Sequence, residues 1–196
     1  VSLFVLTVAA LAAASAGYVA ARQMRKHAEA AEDERASAAA PRSPYEGLPL
    51  ALGDVVSADG DERWLTGAVI AREGEELVAV VFFAPEGAVH DAVAVLPPPS
   101  RSIGWLSPAE LTCPSEPPAS IELGGKVYAR RARWPVAFEC AGQGAPALGA
   151  TGFLAIYDAG ERAMALVLTA SGRTVALHGR RYDEGEYDSL GSGGGE

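Results

Sequence analysis

The 196-residue chain carries 16 basic and 25 acidic residues, a formal net charge of −9, with 49% hydrophobic residues and two cysteines. Its first 44 residues hold five of the basic and four of the acidic groups, so the remainder stands at −10. That composition supports a packed core and argues against nucleic acid as a partner, because such a domain repels phosphate backbones. It also keeps the domain off anionic lipid, except through a basic cluster near its N-terminal end.

Residues 3–21 contain no charged side chain. A helix of that length spans roughly 28 Å at about 1.5 Å per residue, close to the hydrocarbon thickness of a bilayer. Leu3, Phe4, Val5, Leu6, Val8, Leu11, Tyr18 and Val19 supply its apolar surface, so residues 1–22 are assigned as a single-pass membrane anchor whose partner is the lipid bilayer. Arg22, Arg25 and Lys26 follow at once and no positive charge precedes them. The positive-inside bias therefore places the rest of the chain in the cytoplasm. Ala14-Ser15-Ala16 also fits a signal-peptidase site, and export after cleavage is the competing reading, although a signal peptide wants positive charge before its apolar core. Residues 23–44, rich in Ala, Glu and Arg, read as a charged helical stalk and linker. Pro41 and Pro44 end it.

The folded domain is assigned to residues 45–190, with residues 191–196 as a loose Gly-rich tail. Short apolar runs separated by Gly, Pro and Asp predict strands over residues 55–56, 64–72, 77–84, 89–96 and 102–106. Residues 77–84 are almost continuously apolar, so both faces of that strand should be covered. Ser107-Pro108-Ala109-Glu110 has an N-cap followed by Pro, which predicts one helical turn. After a Pro-rich connector, further strands are expected over residues 126–133, 136–141, 152–158, 163–169 and 174–180. Leu52-Gly53-Asp54-Val55 and Arg63-Trp64 find counterparts some 70 positions later in Leu123-Gly124-Gly125-Lys126-Val127 and Arg133-Trp134. Residues 50–106 and 121–180 therefore read as two passes of one pattern. Connections this short favour antiparallel neighbours. The fold expected is mainly β: two consecutive antiparallel meanders forming a barrel-like or sandwich unit, preceded by the anchor helix. Trp64 and Trp134 should occupy matching, mostly buried positions.

The search for chemistry returns little. His27, His90 and His178 are scattered, without metal-ligand spacing. Ser100 or Ser171 could in principle join His178 and Asp158, but no nucleophile motif surrounds them. Cys113 and Cys140 lack a Cys-x-x-Cys partner and are expected as thiols in the cytoplasm, or as one disulfide if exported. Gly142-Gln143-Gly144-Ala145-Pro146-Ala147 fits G-x-G-x-x-A on paper, yet no helix follows to receive a pyrophosphate. No cofactor, metal or catalytic residue is assigned. Thr174, Ala176, His178 and Arg180 share a face read as solvent-facing, and Arg130, Arg131 and Arg133 form the one basic cluster of the domain. The candidate functional surface is therefore His178, Arg180, Arg131 and Arg133.

The pattern of Leu52-Gly53-Asp54-Val55, the Trp64 strand with Gly67 and the Trp105-Leu106 pair resembles the first part of the bacterial domain of unknown function 4178. Leu123-Gly124-Gly125-Lys126-Val127-Tyr128, Gly152-Phe153-Leu154-Ala155-Ile156-Tyr157-Asp158 and Val175-Ala176-Leu177-His178-Gly179-Arg180 are similar to its second part. The resemblance covers about residues 50–190. It implies no assigned activity, and the company of polyamine-synthesis enzymes and small membrane proteins. The function expected is a membrane-anchored, non-catalytic interaction or accessory module with a protein partner, such as another membrane protein. The alternatives are a hydrolase using His178 and an acidic module that captures a small cation such as a polyamine.

Overall fold

In the computed structural model the described residues are 45–191, except 46, 87–88, 98–99 and 114. The side chains of residues 86, 89 and 90, and with them the His90 imidazole, are also outside the description. The anchor and stalk assigned to residues 1–44 lie outside it too. Among the described residues no helix is long and apolar enough to cross a membrane. The chain divides into residues 1–43 and a second compact unit, Pro44–Glu196, to which everything below refers.

That unit is built from strands β1 (Val55–Ala58), β2 (Asp61–Trp64), β3 (Gly67–Glu73), β4 (Glu76–Glu86), β5 (Val89–Val95), β6 (Ile103–Ala109), β7 (Ser120–Leu123), β8 (Lys126–Gly142), β9 (Thr151–Asp158), β10 (Ala163–Ala170), β11 (Arg173–Tyr182) and β12 (Asp188–Leu190). Eight of them run β3-β4-β5-β6-β11-β10-β9-β8, and antiparallel pairing of β3 with β8 closes the ring into a barrel. Two four-stranded meanders thus meet first strand to first strand and last to last, an order that a two-fold axis across the barrel would preserve. β12, β1 and β2 form a separate three-stranded sheet, and β7 extends the barrel sheet from β8.

The two-residue period of each strand divides its side chains between interior and exterior. Val69, Val81, Phe83, Leu106, Phe138, Leu154, Leu166 and Leu168 fill the barrel. On β10, Met164, Leu166 and Leu168 point in, while Ala165 and Val167 point out, as the alternation in the sequence implies. The exterior is not bare. Val56, Ala58 and Leu65 cover Ala68, Ile70, Val80, Phe82 and Val93 of the first meander. Ile121, Leu123 and Tyr128 cover Ala155, Tyr157, Ala165 and Val167 of the second. This double cover explains why β4 is apolar on both faces.

Three expectations change. Ser107–Ala109 is not a helical turn: it continues β6 and pairs with β11, Pro108 opposite Leu177. β5 pairs with β6 only as far as Leu106, so Pro108 sits where one neighbour is missing and its absent N–H leaves no ladder unmade there. The two strands read over residues 126–133 and 136–141 are one 17-residue strand, β8, running through Pro135. Pro135 pairs with Phe153 of β9, while β3 reaches β8 only from Ala137 onward. The residues at 64–72 divide into β2 and β3, because the chain leaves the small sheet at Leu65–Thr66 to enter the barrel.

Trp64 is a correction of another kind. It is 61% exposed, while its neighbour Arg63 is 6% exposed. The alternation of β2 turns Arg63, not Trp64, toward the barrel. The two tryptophans are not equivalent: Trp134 is half-buried against the barrel interior.

Candidate functional site at one barrel mouth

One end of the barrel is formed by the β3–β4 turn, Leu96, Pro97 and Ser100 after β5, the first half of β8 and the end of β11. There a cavity of about 560 Å³ opens, with Leu77, Val78, Leu96, Ala132, Trp134 and Ile156 among its walls and Glu73, Glu76, Arg131 and Arg181 at its rim. Interior alternation on β9 runs Leu154, Ile156, Asp158, and on β11 runs Val175, Leu177, Gly179, Arg181. Both strands therefore end with a charged group turned into the mouth. Arg181 Nη2 donates to Asp158 Oδ1 at 3.2 Å. Arg131 Nη1 stands 3.6 Å from Asp158 Oδ2. Arg131 reaches this place because a register shift between Arg130 and Ala132 makes it an extra residue of β8. One carboxylate thus serves two guanidiniums.

The opposite end is covered by the loop after β8. Ala145 and Leu148 of that loop pack against the barrel interior. The Gly142-Gln143-Gly144 run belongs to this closure. A side chain at Gly142 would overlap the Thr66 carbonyl, and one at Gly67 would begin 2.5 Å from the Gln143 carbonyl oxygen. These glycines allow two backbones to touch. The loop leads into β9 and opens no helix that could aim amides at a pyrophosphate. A second hollow of about 440 Å³ remains beside it, bounded by Phe83, Pro146, Arg173 and Leu177.

The four residues of the candidate surface are distributed rather than gathered. Arg131 is at the mouth. Arg133 is on the outside, ion-paired with Glu116 and 5.4 Å above the Phe153 ring. Arg180 stands 3.4 Å from Asp59 and 5.2 Å from the Tyr182 ring, beside the β1–β2 turn. His178 lies under the β7–β8 turn, where a side chain at Gly124 would begin 3.4 Å from its Cε1. The face shared by Thr174, Ala176, His178 and Arg180 is consequently not solvent-facing throughout: Ala176 is 4% exposed beneath the connector and β7.

Of the two serines considered with His178 and Asp158, Ser100 lines the mouth and Ser171 lies far from it. Asp158 lies at the open mouth with its arginines, while Ser171 sits in the β10–β11 turn beyond Ala170, which pairs with Gly152 at the far end of β9. The length of β9 separates them, roughly 20 Å at ~3.3 Å per residue. Ser100 Oγ lies 3.0 Å from Ser102 Oγ. Among the described residues no group of three His, Cys, Asp or Glu side chains could hold a metal ion. Cys113 and Cys140 are free thiols, and burial pushes the Cys113 thiol up from its ordinary value, which disfavours the reactive thiolate.

Other polar groups serve the frame. The Arg63 guanidinium donates to the carbonyls of Ala92 at 2.7 Å and Leu106 at 2.8 Å, pairs with Asp91 at 3.0 Å and lies 4.0 Å above the Trp105 ring. Thr169 Oγ1 donates to the Ser115 carbonyl and Tyr157 Oη to the Pro118 carbonyl, both at 2.8 Å, which ties the connector to the second meander. Desolvation pushes the Tyr157 phenol up to about 12. Tyr182 is also raised, first by its 2.6 Å hydrogen bond to Asp59.

Of the four candidate residues named from the sequence, Arg131 is the one that stands at this mouth. Arg181 was the missed partner. The signal was available in the alternation of β11, which carries an interior register from Leu177 through Gly179 onto an arginine. Compared with known proteins, the chain matches no family model, no curated protein and no solved structure. The resemblance described above therefore rests on the quoted residues alone.

Proposed function

We propose that this protein is a membrane-anchored, non-catalytic binding module whose barrel receives a small, partly apolar molecule at the mouth ringed by Arg131, Asp158 and Arg181. The observation that carries the reading is the cavity: about 560 Å³, apolar below and charged at its rim. Small-molecule sites commonly have this size and this division between apolar walls and a few polar groups. The anchor comes from the uncharged run at residues 3–21, and the cytoplasmic side from Arg22, Arg25 and Lys26 after it.

Calorimetric titration of the full chain with hexanol, a neutral probe, tests the binding role. Hexanol should bind, and Ala132→Phe, which fills the cavity wall, should abolish the heat while circular dichroism stays unchanged. Equal binding by the variant contradicts the site. An alkaline phosphatase fused after Glu196 should be inactive in cells; activity places the barrel on the other side of the membrane.

A further inference from the structure

We propose that the mouth selects an anionic amphiphile, its carboxylate held by Arg131 with Arg181 beside it and its hydrocarbon part lying among Leu96, Trp134 and Ile156. This rests on the binding role proposed above and specifies the ligand class.

The charge arrangement points to the head group. Asp158 is shared between Arg181 at 3.2 Å and Arg131 at 3.6 Å, so the trio keeps one positive charge in excess. Arg131 is the looser member, its side chain 61% exposed, and a guanidinium has five N–H donors in a planar fork suited to a carboxylate. Asp158 and Arg181 are less exposed, at 33% and 22%, and turn into the mouth from β9 and β11, on either side of β10. Together with Arg131 they leave one positive charge in excess, in place before any ligand arrives. Immediately below it the walls become apolar, so a molecule charged at one end and hydrocarbon at the other matches the cavity along its depth.

Glu73 and Glu76, which line the same mouth, favour the reverse polarity, an alkylammonium. Both are exposed residues of the β3–β4 turn. Exposed charges are screened by salt beyond about 8 Å at physiological ionic strength. The charge of the acidic domain as a whole acts on the rate of approach. Arg181, at 22% exposure and held by Asp158, is the least screened charge of the rim and favours a carboxylate head.

The test is calorimetric titration of the full chain with hexanoate, hexylamine and hexanol, which share one chain length and differ in head charge. Hexanoate should bind about ten-fold more tightly than hexanol, the value of one charge-assisted contact. Hexylamine should bind no better than hexanol. Arg131→Gln, at an exposed position, should remove the hexanoate preference, so that hexanoate and hexanol bind the variant equally. Tighter binding of hexylamine, or hexanoate affinity unaltered by Arg131→Gln, overturns the anionic assignment and leaves the cavity role standing. Absence of binding by all three overturns both.

Discussion

Arg63 is one of the residues that tie the small sheet to the barrel, and its removal has a calculable cost. Arg63→Met keeps the apolar stem and deletes a guanidinium that satisfies the Ala92 and Leu106 carbonyls, pairs with Asp91 and stacks on Trp105. Breaking a buried charge pair from one side costs about 3 to 5 kcal/mol. The Asp91 side chain is 34% exposed, so water relieves part of its loss and the lower end applies. Arg63→Met should therefore cost about 3 kcal/mol. Arg63→Lys should cost about 2 kcal/mol, since one ammonium cannot serve the same acceptors and lie flat on the indole. Asp91→Asn should cost only about 1 kcal/mol. Urea unfolding measures this: with a slope of roughly 1 to 3 kcal/mol per molar, the Arg63→Met midpoint should fall by about 1 M or more at unchanged slope. A loss below about 1 kcal/mol for Arg63→Met, or a larger loss for Asp91→Asn, refutes the reasoning.

Trp64→Ala should change stability by less than about 0.5 kcal/mol in the same urea experiment, because the ring is 61% exposed, whereas Trp134→Ala should cost several times more. Thr169→Val should cost about 1 to 2 kcal/mol by stranding the Ser115 carbonyl. Gly152→Ala should prevent a folded barrel, seen as loss of dispersed amide resonances, because its methyl group would overlap the Thr169 carbonyl of the neighbouring strand. Stability should fall as pH rises from about 10 to about 12, because the folded Tyr157 phenol keeps its proton after the unfolded one has lost it. The Tyr157 share of that loss, on the order of 2 kcal/mol, should vanish in Tyr157→Phe, read as the difference between the two urea midpoints at high and neutral pH.

Most of the strand pattern could be read from the chain, because turn residues and apolar alternation are local signals. Residues 77–84, 152–158 and 163–169 were placed to within a residue or two. The failures share one cause: they depend on which neighbour a strand has at each point. Pro108 looks like a helix start and Pro135 like a strand breaker in sequence, and both are tolerated where a barrel strand lacks a partner on one side. Trp64 looks like a core residue by size, and its strand belongs to an outer sheet that buries Arg63 instead. The mouth was hidden for a related reason. Arg131 enters it only through a register shift, and its companions Asp158 and Arg181 are distant in sequence until β8, β9 and β11 are set around the barrel.

The most direct test of the central claim is a methyl-resolved nuclear magnetic resonance titration of the full chain with hexanol. Resonances of Leu77, Val78, Leu96 and Ile156 should shift together and saturably, while Val175 and Leu177, beside the loop-covered end, should stay in place. Shifts centred on Val175 and Leu177, or no saturable shift at all, would contradict a binding mouth at Arg131, Asp158 and Arg181.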